Sequence, residues 1–88
     1  MATYEAVMEE LRAAGTAQNV KIYRRHGARG DLFGVSSAHL NALKKRLKTD
    51  HHLARALWAS GNYDARILAT MIADPVLNGW HLHNRSKV

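Results

Sequence analysis

The chain has no cysteine, which excludes a disulfide scaffold, thiolate metal sites and a cysteine nucleophile, and fits a reducing compartment. It also lacks a long apolar run. The longest, Ile67 to Ala73, is interrupted by Thr70 and falls far short of the roughly 20 residues that a membrane span requires. A secretion signal is missing too, because Glu5, Glu9 and Glu10 stand where basic residues and then an apolar stretch are needed. No membrane partner is therefore expected, and the expected location is cytoplasmic. Period-two alternation never persists long enough to predict a strand. Length is short as well: 88 residues allow one small domain, where domains typically hold about 100 to 150. Core-forming residues are present in ordinary measure, since 47% hydrophobic and 23% charged residues match a globular chain rather than a disordered one.

Acidic residues are scarce, 7 Asp and Glu against 13 Lys and Arg, for a net charge of +6. The excess is local. Residues 1–15 carry a net −2, whereas residues 16–49 hold eight Lys or Arg against Asp31, a net +7. Such a concentration favours a polyanion, because neutralised phosphates release condensed counterions. Nucleic acid, ribosomal RNA and anionic lipid head groups would all attract it.

Helical periods account for most of the chain. Tyr4, Val7, Met8 and Leu11 fall on one face, with Thr3 as N-cap and Gly15 just past the end. Thr16 caps a second helix predicted through His26, with Val20, Tyr23 and Ala17 as a weaker stripe and Gly27 as its stop. Gly27 to Val35 has no helical period and reads as a loop, with Leu32, Phe33 and Val35 turned into the core. Ser36 or Ser37 opens a third helix with Leu40, Leu43 and Leu47 inward. Asp50 caps a fourth carrying Leu53, Ala54, Leu57 and Trp58 up to Gly61, and Asn62 caps a fifth that runs to Ala73 before Asp74-Pro75 ends it.

The fold class is thus all-α, an antiparallel helical-repeat array of HEAT-like type, truncated to about five helices because such arrays need about three copies of a roughly 40-residue repeat. Short connections predict antiparallel successive helices. The division is 1–75 for the repeat domain and 76–88 for a divergent C-terminal tail. The fifth helix is apolar nearly all round, leaving a narrow polar strip near Asp64 and Arg66. That circumference predicts neighbours on several sides and, failing those, a homodimer through the fifth helix.

The stretch Lys21-Ile22-Tyr23-Arg24-Arg25-His26-Gly27, then Leu32-Phe33-Gly34-Val35-Ser36, then Leu53 to Trp58, and finally Ala59 to Pro75, resembles the N-terminal part of the bacterial DNA alkylation repair proteins, HEAT-like-repeat DNA glycosylases. The resemblance implies a curved helical protein whose basic groove holds duplex DNA and removes N3- or N7-alkylated bases without flipping them into a pocket. It implies an electrostatic mechanism in which a groove carboxylate and aromatic faces stabilise the charge developing on the sugar. The aspartate and tryptophans of that groove lie, in the family, beyond the equivalent of Pro75. This chain shows no such segment, so a shortened or frameshifted member, inactive alone, is the expectation. No catalytic role is carried onto Trp80.

The candidate DNA-binding residues are Lys21, Tyr23, Arg24, Arg25, Arg29, Lys44, Lys45, Arg46 and Lys48, from a second and third helix expected to be neighbours. Phosphate contacts of this kind position a duplex without reading its sequence. Tyr23 matches a family tyrosine near the lesion groove, or is a core-edge aromatic with its hydroxyl in water. Asp64 and Arg66 are read as a catalytic acid and an anion clamp, or as an inter-repeat salt bridge and a helix N-terminal contact. His51-His52 and His81-Leu82-His83 lack the spacing and companions of a metal site, so no metal and no cofactor are expected. The alternative function is a non-enzymatic helical module that binds a protein partner or RNA, docking through the apolar fifth helix.

Overall fold

The computed structural model describes residues 2–74. Five helices follow one another, α1 (Tyr4–Ala14), α2 (Ala17–Arg25), α3 (Ser37–Leu47), α4 (His51–Ala59) and α5 (Tyr63–Ile72), and no strand occurs among the described residues. Each start is set by a side chain that satisfies an otherwise orphaned N–H. Thr3 accepts from Ala6 N, Thr16 from Asn19 N, Ser36 from His39 N, Asp50 from Leu53 N and Asn62 from Ala65 N, all at 3.0–3.2 Å. Caps of this type are worth about 1 kcal/mol each, a useful gain for helices of 9 to 11 residues that would be marginal alone. All five caps are legible in the sequence, and of Ser36 and Ser37 it is Ser36 that acts.

The core collects Val7 and Leu11 of α1, Val35 of the loop, Leu40 and Leu43 of α3, Leu53, Ala54 and Leu57 of α4, and Ala65, Leu68, Ala69 and Ile72 of α5. Helix α5 lies at its centre, packed against α4, α3 and α1. Its broad apolar circumference is therefore largely covered within one chain. Ile67 and Met71 stay partly buried against the core, and Arg66 and Thr70 form the exposed strip. Asp64 does not belong to that strip, because it is fully buried.

Two expectations of packing are corrected. The α4–α5 hairpin is the closely packed successive pair, while α1 packs on α4 and α5 rather than on α2. Helix α2 packs closely against no other helix and buries none of its residues. Its apolar stripe is too thin to hold a face in the core, so α2 and α3 are not the neighbours that the repeat pattern predicts. Of the loop residues, Val35 is buried completely, whereas Leu32 and Phe33 are only half-buried.

Helix α2 is fixed instead through the loop. Thr16 N donates to Gly34 O at 3.0 Å, Asn19 Nδ2 to the same carbonyl at 3.1 Å, and the Tyr23 hydroxyl to Val35 O at 2.6 Å. The two chain segments touch backbone to backbone. A Cβ at Gly15 would stand 2.0 Å from Phe33 O, and one at Gly34 only 2.4 Å from Thr16 O. Gly15 is extended at φ −71°, so its glycine answers a close approach and not a left-handed C-terminal turn. Gly34 needs both, with φ at +81°.

Asp64, at the start of α5, holds the loop from the other side. Its Oδ2 accepts from Phe33 N at 2.6 Å and Gly34 N at 3.1 Å, and its Oδ1 accepts from Val35 N at 2.9 Å. Tyr63 N adds a donation to Asp31 O at 2.8 Å. Because buried donors left without a partner cost about 1–3 kcal/mol each, Asp64→Ala should lower unfolding free energy by roughly 3 kcal/mol or more. Asp64→Asn, which keeps one acceptor oxygen, should lose less. Urea unfolding followed by circular dichroism checks this, and an unchanged midpoint for Asp64→Ala would show that Asp64 does not hold the loop.

Candidate nucleic-acid interface

The cations fall into two groups on two elements. Lys21, Arg24 and Arg25 project from α2, at spacings that gather them on one side of a helix, and Arg29 follows in the loop; all four are exposed. The Arg24 guanidinium is steadied by donating Nη2–H to Gly30 O at 3.0 Å. Lys44, Lys45 and Arg46 crowd the last turn of α3, where cations suit the helix dipole. Lys48 caps that helix with φ at +58° and donates its N–H to Lys44 O at 2.8 Å. These four are exposed too.

Arg46 is not an open cation. Its Nη1 and Nη2 fork onto the two oxygens of Glu10 of α1 at 3.0 and 2.6 Å, and His39 Nε2 lies 3.9 Å from the same carboxylate. The hydrogen bond from Arg46 holds the Glu10 carboxyl below its ordinary value, against the opposing effect of partial desolvation and with help from the charges of Arg46 and His39. The same pairing raises the Arg46 guanidinium. Arg46 therefore ties α3 to α1, and its charge is largely answered inside the chain.

Tyr23 stands between the two readings of its role. It is half-buried, its ring centroid 5.7 Å from that of Tyr63, and its hydroxyl is engaged on Val35 O rather than left to water. Burial chiefly, then the nearby Asp64 and Tyr63, push the phenol above its usual value, so it is a neutral donor at physiological pH. Asp64 and Arg66 do not pair in a salt bridge. Asp64 binds the loop, and Arg66 lies over the Trp58 ring at 4.7 Å while its Nε–H donates to Trp58 O at 3.0 Å. Burial also removes Asp64 from the catalytic-acid reading.

Among the described residues no three His, Cys, Asp or Glu side chains converge as metal ligands. His51 Nδ1 instead accepts from Asp74 N at 3.4 Å, joining the start of α4 to the end of α5. Trp80, His81 and His83 lie outside the described residues. No helix among the described residues is long and apolar enough to cross a membrane.

Sequence reasoning missed one arrangement. Arg12 of α1 sits over the Phe33 ring at 5.4 Å, and these two with Arg24 line a cleft of about 410 Å³ between α1 and the 27–35 loop. Nothing in the linear order of Arg12, Arg24 and Phe33 signals that meeting, which depends on where the loop lies.

The all-helical architecture has its counterpart among proteins related to the HEAT-like repeat DNA glycosylases. The model of the family described as DNA alkylation repair enzyme matches residues 7–83, and the chain belongs to that family. The match continues past Pro75 into the stretch expected to diverge. A solved structure from a family described as related to the HEAT-like repeat DNA glycosylases, with affinity for branched DNA structures, superposes with a TM-score of 0.84 at 36% identity over 94% of this chain. The chain spans 36% of the length of that protein. None of the curated proteins matches.

Glu10→Gln tests the pairing with Arg46. Because the folded-state value of Glu10 is depressed, the pair stabilises the fold fully above the ordinary 4.5 and loses that contribution as pH falls through the lower folded value. Wild type and Glu10→Gln should differ in urea midpoint at neutral pH and converge in acid. A difference that persists unchanged to pH 2.5 would mean that Glu10 does not titrate against Arg46.

Proposed function

We propose that this chain is a DNA-binding part of a DNA alkylation repair protein, holding the duplex through its phosphate backbone without reading sequence. The observation that carries the reading is the run of exposed cations on α2 and the following loop, Lys21, Arg24, Arg25 and Arg29, on a helix that buries no residue completely and turns these cations to solvent. Lys44, Lys45 and Lys48 form a second exposed basic group at the end of α3, and Arg46 contributes least because Glu10 already engages it. The family match and the branched-DNA affinity of the structural neighbour support DNA as the partner. A protein that works on DNA belongs in the compartment that holds it, which for the bacterial proteins it resembles is the cytoplasm.

Excision of N3- or N7-alkylated bases is the chemistry that the resemblance implies, and we assign no step of it to the described residues. Asp64, the carboxyl in the candidate position, is fully buried and accepts from three backbone N–H groups. The 88-residue chain should release no 7-methylguanine from methylated duplex above a buffer control. Release abolished by Asp64→Asn with the fold intact would overturn that assignment.

The alternative, docking of a protein or RNA through α5, loses its main support because α5 is enclosed by α1, α3 and α4. Among the described residues, the same packing leaves a homodimer through α5 little more than the half-buried Tyr63, Ile67 and Met71 to gain. Sedimentation over a hundredfold concentration range separates a monomer from the dimer expected on sequence grounds.

Titration of a labelled duplex at several salt concentrations tests the proposal itself. Affinity should fall steeply with salt, and joint replacement of Arg24, Arg25, Lys44 and Lys45 by Ala should weaken binding and flatten the salt slope by about one for each phosphate no longer neutralised. Arg46→Ala alone should change little. Salt-independent binding, or binding unaltered by the fourfold replacement, would refute it.

A further inference from the structure

The cleft between α1 and the 27–35 loop has chemistry that the backbone-binding reading does not use. We infer that it takes one unpaired nucleotide of a DNA strand, with the phosphate between the guanidinium groups of Arg12 and Arg24 and the base stacked on the Arg12–Phe33 pair. The inference rests on the DNA-binding reading and names a site within it.

Four observations converge. The cleft, about 410 Å³, is of the size that holds small ligands, roughly 300–1,000 Å³, and a single nucleotide fits while a duplex does not. Two guanidiniums line it from different elements, Arg12 from α1 and Arg24 from α2. Planar guanidinium groups bind phosphate oxygens in forked geometry. Arg24 is oriented by its bond to Gly30 O, and Arg12, its side chain 65% exposed, is held among the described residues by Glu9 at 3.6 Å, a weak surface pair, and by the Phe33 ring beneath it. A guanidinium backed by an aromatic ring is a flat cationic platform, the kind of surface on which a base stacks whatever its identity. Tyr4, Met8 and Leu32 offer apolar contact to the base, and Ser60 and Asn62 add polar lining.

Asp31 also lines the cleft. A carboxylate there repels a second phosphate and accepts from amino groups on base edges, so one phosphate and one base fit better than two phosphates. A continuous duplex cannot present a base to this cleft, because its bases are stacked and paired. A bulge or a branch point can. No excision chemistry is implied, since the nucleotide enters already unpaired.

Two sources supply the same unit of phosphate and base, a free mononucleotide and an unpaired residue in DNA. The test therefore uses three probes on the full chain: dAMP, a fully paired duplex, and the same duplex with a single-adenine bulge. The bulged duplex should bind roughly tenfold tighter than the paired one, as expected for one stacked base, and dAMP should fail to compete at micromolar concentration. Arg12→Gln, at an exposed position outside the backbone-binding set, should bring the ratio of bulged to paired affinity near one while leaving the paired duplex within about twofold of wild type. Phe33→Leu should act in the same way, and its melting curve checks that the half-buried position still folds. A ratio of one in wild type, a ratio retained in Arg12→Gln, or competition by micromolar dAMP overturns the site in DNA. If the paired duplex binds with the expected salt dependence and the ratio is one, only this inference fails. If neither duplex binds, the reading of the chain as DNA-binding fails with it.

Discussion

The attachment of α2 and of the cations it carries depends on a single carboxyl group inside the fold. Asp64 gathers the backbone N–H groups of Phe33, Gly34 and Val35 and so converts a glycine-containing loop with no helical period into a fixed ledge. The ledge in turn supplies the two carbonyls, of Gly34 and Val35, to which α2 attaches. Polar interactions in series thus supplement the limited apolar contact of α2, which has no fully buried residue. Because buried polar groups act in a low dielectric, a satisfied hub of this kind specifies one arrangement more sharply than apolar packing does.

That division of labour separates the basic surface from the core. The core is aliphatic and belongs to α1, α3, α4 and α5, whereas most of the candidate cations sit on α2, its loop and the end of α3. Substitutions among the cations can therefore alter binding without passing through the core. Arg46 is the exception, since its fork onto Glu10 joins α3 to α1.

Helix positions and caps are readable from the sequence because both are local: a side chain three residues ahead of an N–H, and an apolar residue every three or four positions. Thr3, Thr16, Ser36, Asp50 and Asn62 follow that logic. Partnerships between elements are not readable in the same way. The thin stripe of Val20 and Tyr23 forms a helix but does not decide what the helix packs on, and a repeat pattern that pairs successive helices hides that weakness. Asp64 misleads for a related reason. At the first turn of a helix, an acid is favourable on the surface, and only the approach of residues 33–35, some 29 to 31 positions away, turns it inward. The cleft lined by Arg12, Arg24 and Phe33 depends on that same approach and shares its invisibility.

The way α2 is held has a further consequence for motion. A segment whose apolar side chains are only partly buried opens at lower cost than the core, and regions of that kind populate the low end of the local unfolding scale. Helix α2 can therefore detach and re-form while the four-helix core stays intact, on timescales that native-state amide exchange reads. Because it carries like charges close together, its closed state is opposed by their mutual repulsion in the free protein. A polyanion that screens those charges would order the very helix that binds it, so that the stiffness of the surface comes partly from what lies against it.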